Sequence, residues 1–369
     1  MKAKKVELTE LFYDLVFVYA ISKMTGLIHH LHHGVISPFA IFTFVTCLLV
    51  VINLWIYQTV FINRYGKNTI WDNIALQLNM MCILFLSNSF TTENWESVFH
   101  PYALMTALTT IVLTIQYAVQ YFKSSNSGDK THTRHYTIIL GIRSAMILLS
   151  AFLPFSVGII LFFVGLFAGV LFPFLIRSSA KIRPINFPHL AERFSLLVII
   201  TFGEMLIGIA PYFTAKTLGL DSIFLFLIVG ALFMFYIVEL DHHMNHHQEQ
   251  ATGYTLVYWH YPIFVGLSFI TVSLGFFNQK SNPLFLVFFL YLGLFLFYLG
   301  IYAQKKYNKE KYRYPKAFLL GQVALFILGF SASLLLHSHL YLVLLTTTFT
   351  VIMLSALYIS FTLARKQLG

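Results

Sequence analysis

The sequence predicts an all-α fold: a polytopic integral membrane bundle of about twelve transmembrane helices. Three observations carry that reading. Hydrophobic residues make up 58% of the 369 and charged residues only 10%, whereas an ordinary soluble domain carries about 25% charge. The apolar residues come in repeated continuous runs of about 20, the length a helix needs to cross the hydrocarbon layer. The basic residues fall in short segments between the runs rather than on one soluble face, which is a topology signal. A large soluble core is excluded. So is a β-barrel, whose strands would alternate.

Taken in order, the runs cover about residues 9–28, 38–62, 71–90, 101–122, 136–153, 157–176, 190–211, 221–240, 256–277, 284–303, 315–336 and 340–364. Chain breakers separate most of them: Ser37-Pro38, Pro154, Pro188, Pro211, Asn282-Pro283 and Pro315. The basic start MKAKK resembles the head of a secretory signal, but Glu10 and Asp14 follow and no small-residue cleavage site does, so the first helix is expected to be retained. Cys47 and Cys82 both fall inside spans, and neither a disulfide nor a thiolate metal site is expected.

With the N-terminus inside, 19 of the 24 Lys and Arg lie on the cytoplasmic side, from Lys2 to Lys366. Only Lys216 and Lys280 lie on the other side, and Lys23, Arg143 and Arg193 fall within spans. The positive-inside rule then favours N-in, C-in, and adding or dropping one span would scramble the bias. Lys305 to Arg313 reads either as a lipid-headgroup patch or as an ordinary stop-transfer flank.

The stretch from Pro188 to Ala210 is apolar enough to span a bilayer, yet it holds Glu192, Arg193 and Glu204. It echoes the start of the chain. Leu8, Glu10, Phe12, Leu15 and Val16 match Leu190, Glu192, Phe194, Leu197 and Val198 at an offset of 182. We therefore expect two six-helix halves, 1–182 and 183–369, in a 6+6 parallel repeat within one membrane domain.

Ions at membrane depth are costly and need partners. Glu10, Asp14, Arg143, Glu192, Arg193 and His260 all fall in the cytoplasmic half of the membrane on this topology, and Glu204 sits deeper. Glu10 and Asp14 share a helix face at i,i+4. Arg193 and Glu204 share one about three turns, roughly 16 Å, apart. Arg143 and Arg193 are the cations at hand for Glu10, Asp14 and Glu192. Two readings stand: an inner gate or coupling-ion site with Glu204 as a protonatable carboxylate, or a static ion-pair network. Lys23 either pairs with Glu204 or snorkels outward. His260, just before Pro262, is either a proton relay or a hydrogen-bonded interior histidine.

His242, His243, His246 and His247 form two i,i+4 pairs, a spacing that can bind zinc or nickel, with Glu239 and Asp241 as oxygen ligands. Neither cysteine nor HExxH accompanies them, so they stay weak metal candidates; His29, His30, His32 and His33 flank the other side. Asn53, Trp55, Tyr57, Gln77, Asn79, Asn88, Gln116 and Gln120 read as interhelical hydrogen-bonders or as a substrate lining. Nucleophile motifs, a P-loop, GxGxxG and HExxH are absent, and nothing suggests nucleic-acid recognition. No cofactor is expected.

Four segments carry a resemblance: VELTELFYDLVFVYAIS (Val6 to Ser22), WIYQTVFINRYG (Trp55 to Gly66), HLAERFSLLVIITFGEMLIGI (His189 to Ile209) and YWHYPIFVG (Tyr258 to Gly266). Together they resemble the bacterial low-temperature-requirement protein A (LtrA) family. The resemblance implies a multi-pass protein of the bacterial cytoplasmic membrane, linked to growth in the cold, and supplies no reaction. Carried over by position, the family's polar signature falls on Glu10, Asp14, His189, Glu192, Arg193, Glu204 and His260. Burial cost selects the same positions apart from His189, which the spacing leaves in a loop.

The leading expectation is a secondary transporter for a small solute or ion, with its path between parallel halves. An intramembrane lipid-modifying enzyme and a sensor or scaffold needing a partner protein are the alternatives. The expected partners are the bilayer and that solute, not nucleic acid, and a homodimer is one option for assembly.

Overall fold

The computed structural model describes residues 4–175, 184–248 and 251–367. The expected boundary between halves at 182/183 lies outside these residues, as do Lys2, Arg177, Lys181 and Arg183 of the expected cytoplasmic set. Among the described residues there are twelve α-helices and no strands. They are α1 (Leu8–Gly26), α2 (Pro38–Tyr65), α3 (Ile70–Asn88), α4 (Trp95–Lys123), α5 (Ser127–Ser150), α6 (Phe155–Leu175), α7 (Phe187–Ile209), α8 (Leu220–Ile237), α9 (Tyr254–Phe276), α10 (Pro283–Tyr302), α11 (Lys316–Leu335) and α12 (Leu340–Gln367). Each corresponds to one expected span. Ten of them are long and apolar enough to cross a membrane. The other two, α1 and α5, contain Glu10, Asp14 and Arg143.

Prolines and caps set most starts. Pro38 and Pro283 open α2 and α10, where the missing N–H is no loss. Asn282 accepts the Phe285 N–H at 3.2 Å. Thr69 and Asp72 cap each other's backbone ahead of α3. Two helices begin earlier than their hydropathy suggests. Asn94 caps α4 by accepting the Glu96 N–H, and Pro101 is absorbed inside the helix. Asn126 caps α5 by accepting the Gly128 N–H at 2.7 Å, so most of the segment between the expected spans 101–122 and 136–153 is helical. The polar first turns of α5 pack: His132 and Thr133 are buried.

The helices form two compact units. The first comprises Met1–Leu27, Pro38–Phe194 and His247–Tyr254; the second comprises Ile28–Ser37, Ser195–His246 and Thr255–Gly369. The first is built on α2. Every residue from Val50 to Tyr65 is buried, so this part of the helix has no lipid-facing stripe and forms the core of its unit. Its polar residues must therefore find partners inside the protein.

The second unit is packed on small residues where backbones approach. A Cβ added at Gly266 of α9 would stand 2.6 Å from the Gly293 carbonyl of α10 and 2.7 Å from the Phe297 nitrogen. Small residues are what such interfaces require. Gly266→Ala is expected to destabilise the protein by about 1–3 kcal/mol through overpacking. Gly230→Ala in α8, where an added Cβ meets nothing within 4 Å, is expected to be neutral or mildly stabilising. Thermal unfolding of the detergent-solubilised protein separates the two.

Candidate functional site

The acidic start of α1 and the basic start of α7 meet in the first unit. Arg193 donates from Nη1 to Glu10 Oε2 at 2.5 Å and from Nη2 to Asp14 Oδ1 at 2.6 Å. One guanidinium spans both carboxylates because Glu10 and Asp14 lie one turn apart on the same face. Trp55 of α2 donates its indole N–H to Asp14 Oδ1 at 2.8 Å, and its ring lies 5.5 Å from the guanidinium carbon, a cation–π contact. Glu10 is 1% exposed, Asp14 2% and Arg193 0%. Asp14 Oδ2 and Arg193 Nε have no hydrogen-bond partner.

His189 completes the set from the first turn of α7. Its Nε2 stands 3.2 Å from Glu10 Oε2 and 3.3 Å from Oε1. The amide of Asn63 fixes the tautomer. Asn63 donates from Nδ2 to the Asn186 carbonyl at 2.9 Å and accepts the Asn186 N–H on Oδ1 at 2.8 Å, which sets which end is which. The same Nδ2 faces His189 Nδ1 at 2.9 Å. That ring nitrogen must accept, so the hydrogen sits on Nε2 and is donated to Glu10. A second proton on His189 would oppose two donors unless Asn63 turned over and gave up both bonds to Asn186.

A cavity of about 140 Å³ reaches Glu10 from the surface, with Lys4, Glu7, Asn68, Asp72 and Asn73 in its walls. Lys4 donates to the carbonyls of Ile62 and Gly66 at the end of α2. Burial pulls the Lys4 ammonium below its ordinary range, and Glu10 partly offsets that.

The remaining expected residues lie elsewhere. Arg143 is fully buried but does not bridge Glu10 or Asp14. It donates to Asn53 of α2 and lies over the Tyr57 ring at 5.7 Å. An added Cβ at Gly169 would stand 2.6 Å from its Cδ, so the glycine makes room for the side chain. Glu192, the echo of Glu10, is exposed. It follows the buried Ala191 and precedes the buried Arg193, and the helix turns it about 100° away from the network. Glu204 is buried in the part of α7 that belongs to the second unit. Lys23 is exposed, with its ammonium 5.4 Å from the Tyr19 ring. His260 is in the second unit with both ring nitrogens engaged: Nδ1 donates to the Leu256 carbonyl at 2.7 Å, so Nε2 accepts the Tyr236 hydroxyl at 3.0 Å.

The histidines 242–247 do not converge. His242 and His247 are exposed, and His246 Nε2 donates to the Leu240 carbonyl. Among the described residues no group of three or more His, Cys, Asp or Glu is arranged to hold a metal ion. His243 turns inward on a π-helical turn, Val238–His243, and joins a cluster that the sequence did not disclose. Tyr314 donates to Glu239 Oε2 at 2.5 Å and Tyr358 donates to the same oxygen. His243 Nδ1 stands 3.2 Å from that oxygen, and its Nε2 stands 2.7 Å from Thr362 Oγ1. Burial, then the Glu239 carboxylate, pushes the Tyr314 phenol well above its ordinary range. The tyrosines come from sequence positions 71 or more residues away, so no local signal marks them. Of the other interior candidates, Tyr57 donates to the Gly169 carbonyl and Asn79 to Gln58 Oε1. Gln77 and Asn88 are exposed.

Ten helices long and apolar enough to cross a membrane among the described residues, with ions buried and paired inside the first unit, mark a multi-pass integral membrane protein. The chain belongs to the bacterial low temperature requirement A protein (LtrA) family, whose model matches residues 5–357. Comparison with curated proteins and with solved structures finds no match.

Removing Arg193 leaves two buried carboxylates without their cation. Arg193→Met is expected to destabilise the protein by about 3–5 kcal/mol. Adding Glu10→Gln and Asp14→Asn to it should restore much of the loss, since neutral amides need no counter-charge. Thermal midpoints of the single and triple variants measure that coupling.

Proposed function

We propose that the protein is a secondary transporter for a small solute, coupled to protons through the Glu10–Asp14 pair. The supporting observation is the charge count at the site. Two buried carboxylates share one guanidinium in direct contact, and Asp14 Oδ2 accepts no hydrogen bond. Among the groups in direct contact that leaves one net negative charge, with Lys4 the further cation acting on Glu10, and one proton neutralises it. His189 is held by Asn63 as a donor to Glu10, so the proton goes to a carboxylate. The cavity at Glu10 supplies a path for it.

Protonation of either carboxylate weakens its hold on Arg193 and frees α1 to shift against α7. A coupled carrier needs that kind of two-state element. Glu204, buried farther along α7 in the second unit, is a second candidate for a protonatable carboxylate. We further propose the bacterial cytoplasmic membrane with both termini inside, on the strength of the basic-residue bias. The low-temperature requirement in the family's name then reflects loss of this transport.

The test uses proteoliposomes loaded with a pH-sensitive dye and challenged with monovalent cations, amino acids and sugars. At least one solute should evoke proton movement, and Glu10→Gln should reduce that movement at least about ten-fold while keeping the protein folded. Silence across the whole panel, or proton movement that persists in Glu10→Gln, overturns the proposal.

A further inference from the structure

A second opening in the first unit has a different chemistry. A crevice of about 520 Å³ lies among α2, α3 and α4. Along most of its length the walls are apolar: Ile74 and Leu78 of α3 face Val112, Ile115 and Val119 of α4. Four of these five are themselves exposed at the surface of the bundle: Ile74 40%, Leu78 45%, Ile115 55% and Val119 43%. The crevice therefore opens sideways, toward the lipid, rather than into the protein.

One end is polar and basic. Lys67 follows the C-terminus of α2, and Lys123 is the last residue of α4. Gln116, Gln120 and Thr69 lie with them. Helix C-termini carry negative partial charge, but both lysines are exposed and free to turn toward a ligand. Asp72 also lines this end, and its Oδ2 is already used by the N–H groups of Lys67 and Thr69. Gln120 donates to Ser124. The Gln116 amide, by contrast, has neither its nitrogen nor its oxygen hydrogen-bonded, and a buried amide left so is costly unless something meets it. Trp71, 73% exposed at the same end, is the residue expected at headgroup depth.

We infer that this crevice is a binding site for an anionic phospholipid. The phosphate lies between Lys67 and Lys123, and one acyl chain runs along the apolar wall between α3 and α4. Charge complementarity selects the occupant. A zwitterionic lipid brings its own cation to the two lysines, and a soluble anion leaves the apolar length of the crevice unfilled. By the same basic-residue bias that orients the chain, the two lysines face the cytoplasmic leaflet, where a bacterial membrane presents anionic headgroups. The inference stands apart from the transport proposal, because it uses neither Glu10 nor Arg193.

Native mass spectrometry of the full-length protein in detergent tests it, with phosphatidylglycerol, phosphatidylcholine and soluble glycerol 3-phosphate as probes. Phosphatidylglycerol should be retained in preference to phosphatidylcholine. The double variant Lys67→Gln, Lys123→Gln should lower its apparent affinity roughly ten-fold or more, since each lysine near an anionic headgroup contributes about five-fold. Both side chains are exposed, so the fold should survive. Val112→Phe, which fills the apolar wall, should weaken the lipid without touching the charges. Lys305→Gln, Lys306→Gln, in the basic loop after α10, should leave binding unchanged. Equal retention of both lipids overturns the inference. So does an equal loss with the Lys305 and Lys306 changes, or glycerol 3-phosphate binding that matches the lipid.

Discussion

The contact between Arg193 and the two carboxylates of α1 is the constraint on which the first unit depends. Helix α1 carries Glu10, Asp14 and Lys23 within one span, too many charges to be held in a membrane by hydrophobicity alone. Lys23 stays exposed beside Tyr19. The two acids instead go inward, where desolvation is repaid only by a cation with near-ideal geometry. Arg193 supplies it with one donor to each acid. The guanidinium suits this role where an ammonium would not, because its planar fork reaches two acceptors at once.

Helix α2 distributes the polar contacts of this unit. Because it is buried all round from Val50 to Tyr65, polar side chains on it point at several neighbours. Asn53 meets Arg143 of α5, Trp55 meets Asp14 of α1, Gln58 meets Asn79 of α3, and Asn63 meets His189 of α7. Amides and an indole at membrane depth thus specify which helix lies on which side, a job that lipid-like leucines cannot do. The bond from Asn63 also sets the hydrogen on His189, so the helix that orders the bundle also decides how Glu10 is hydrogen-bonded.

Two openings share one turn. Lys67, between α2 and α3, and Asp72, in the first turn of α3, line both the small cavity that ends at Glu10 and the larger lateral crevice. The mutual cap of Thr69 and Asp72 keeps that turn in place. The charged side chains of Lys4, Glu7, Glu10 and Asp72 and the small volume of the first suit water and protons. The apolar walls and greater length of the second suit an acyl chain. Their chemistry differs although they are separated by a single capped turn.

By itself the sequence determined the class, the twelve spans and most of their starts. Hydropathy over about 20 residues and proline or asparagine at a helix start are local properties, and the bilayer leaves the backbone few alternatives to helix. It also singled out Glu10, Asp14 and Arg193 from the cost of burying charge. It misjudged the starts of α4 and α5, because Asn94 and Asn126 extend those helices into polar sequence that hydropathy reads as loop. Only the tertiary structure decided the pairings. Arg143 met Asn53 and does not bridge Glu10 or Asp14, Glu192 turned outward although it copies Glu10 in sequence, and Glu239 met two tyrosines distant in sequence. The physical reason is that burial cost says a charge must be met, but which group meets it depends on helix rotation and neighbour identity, and those are set by packing across the whole bundle.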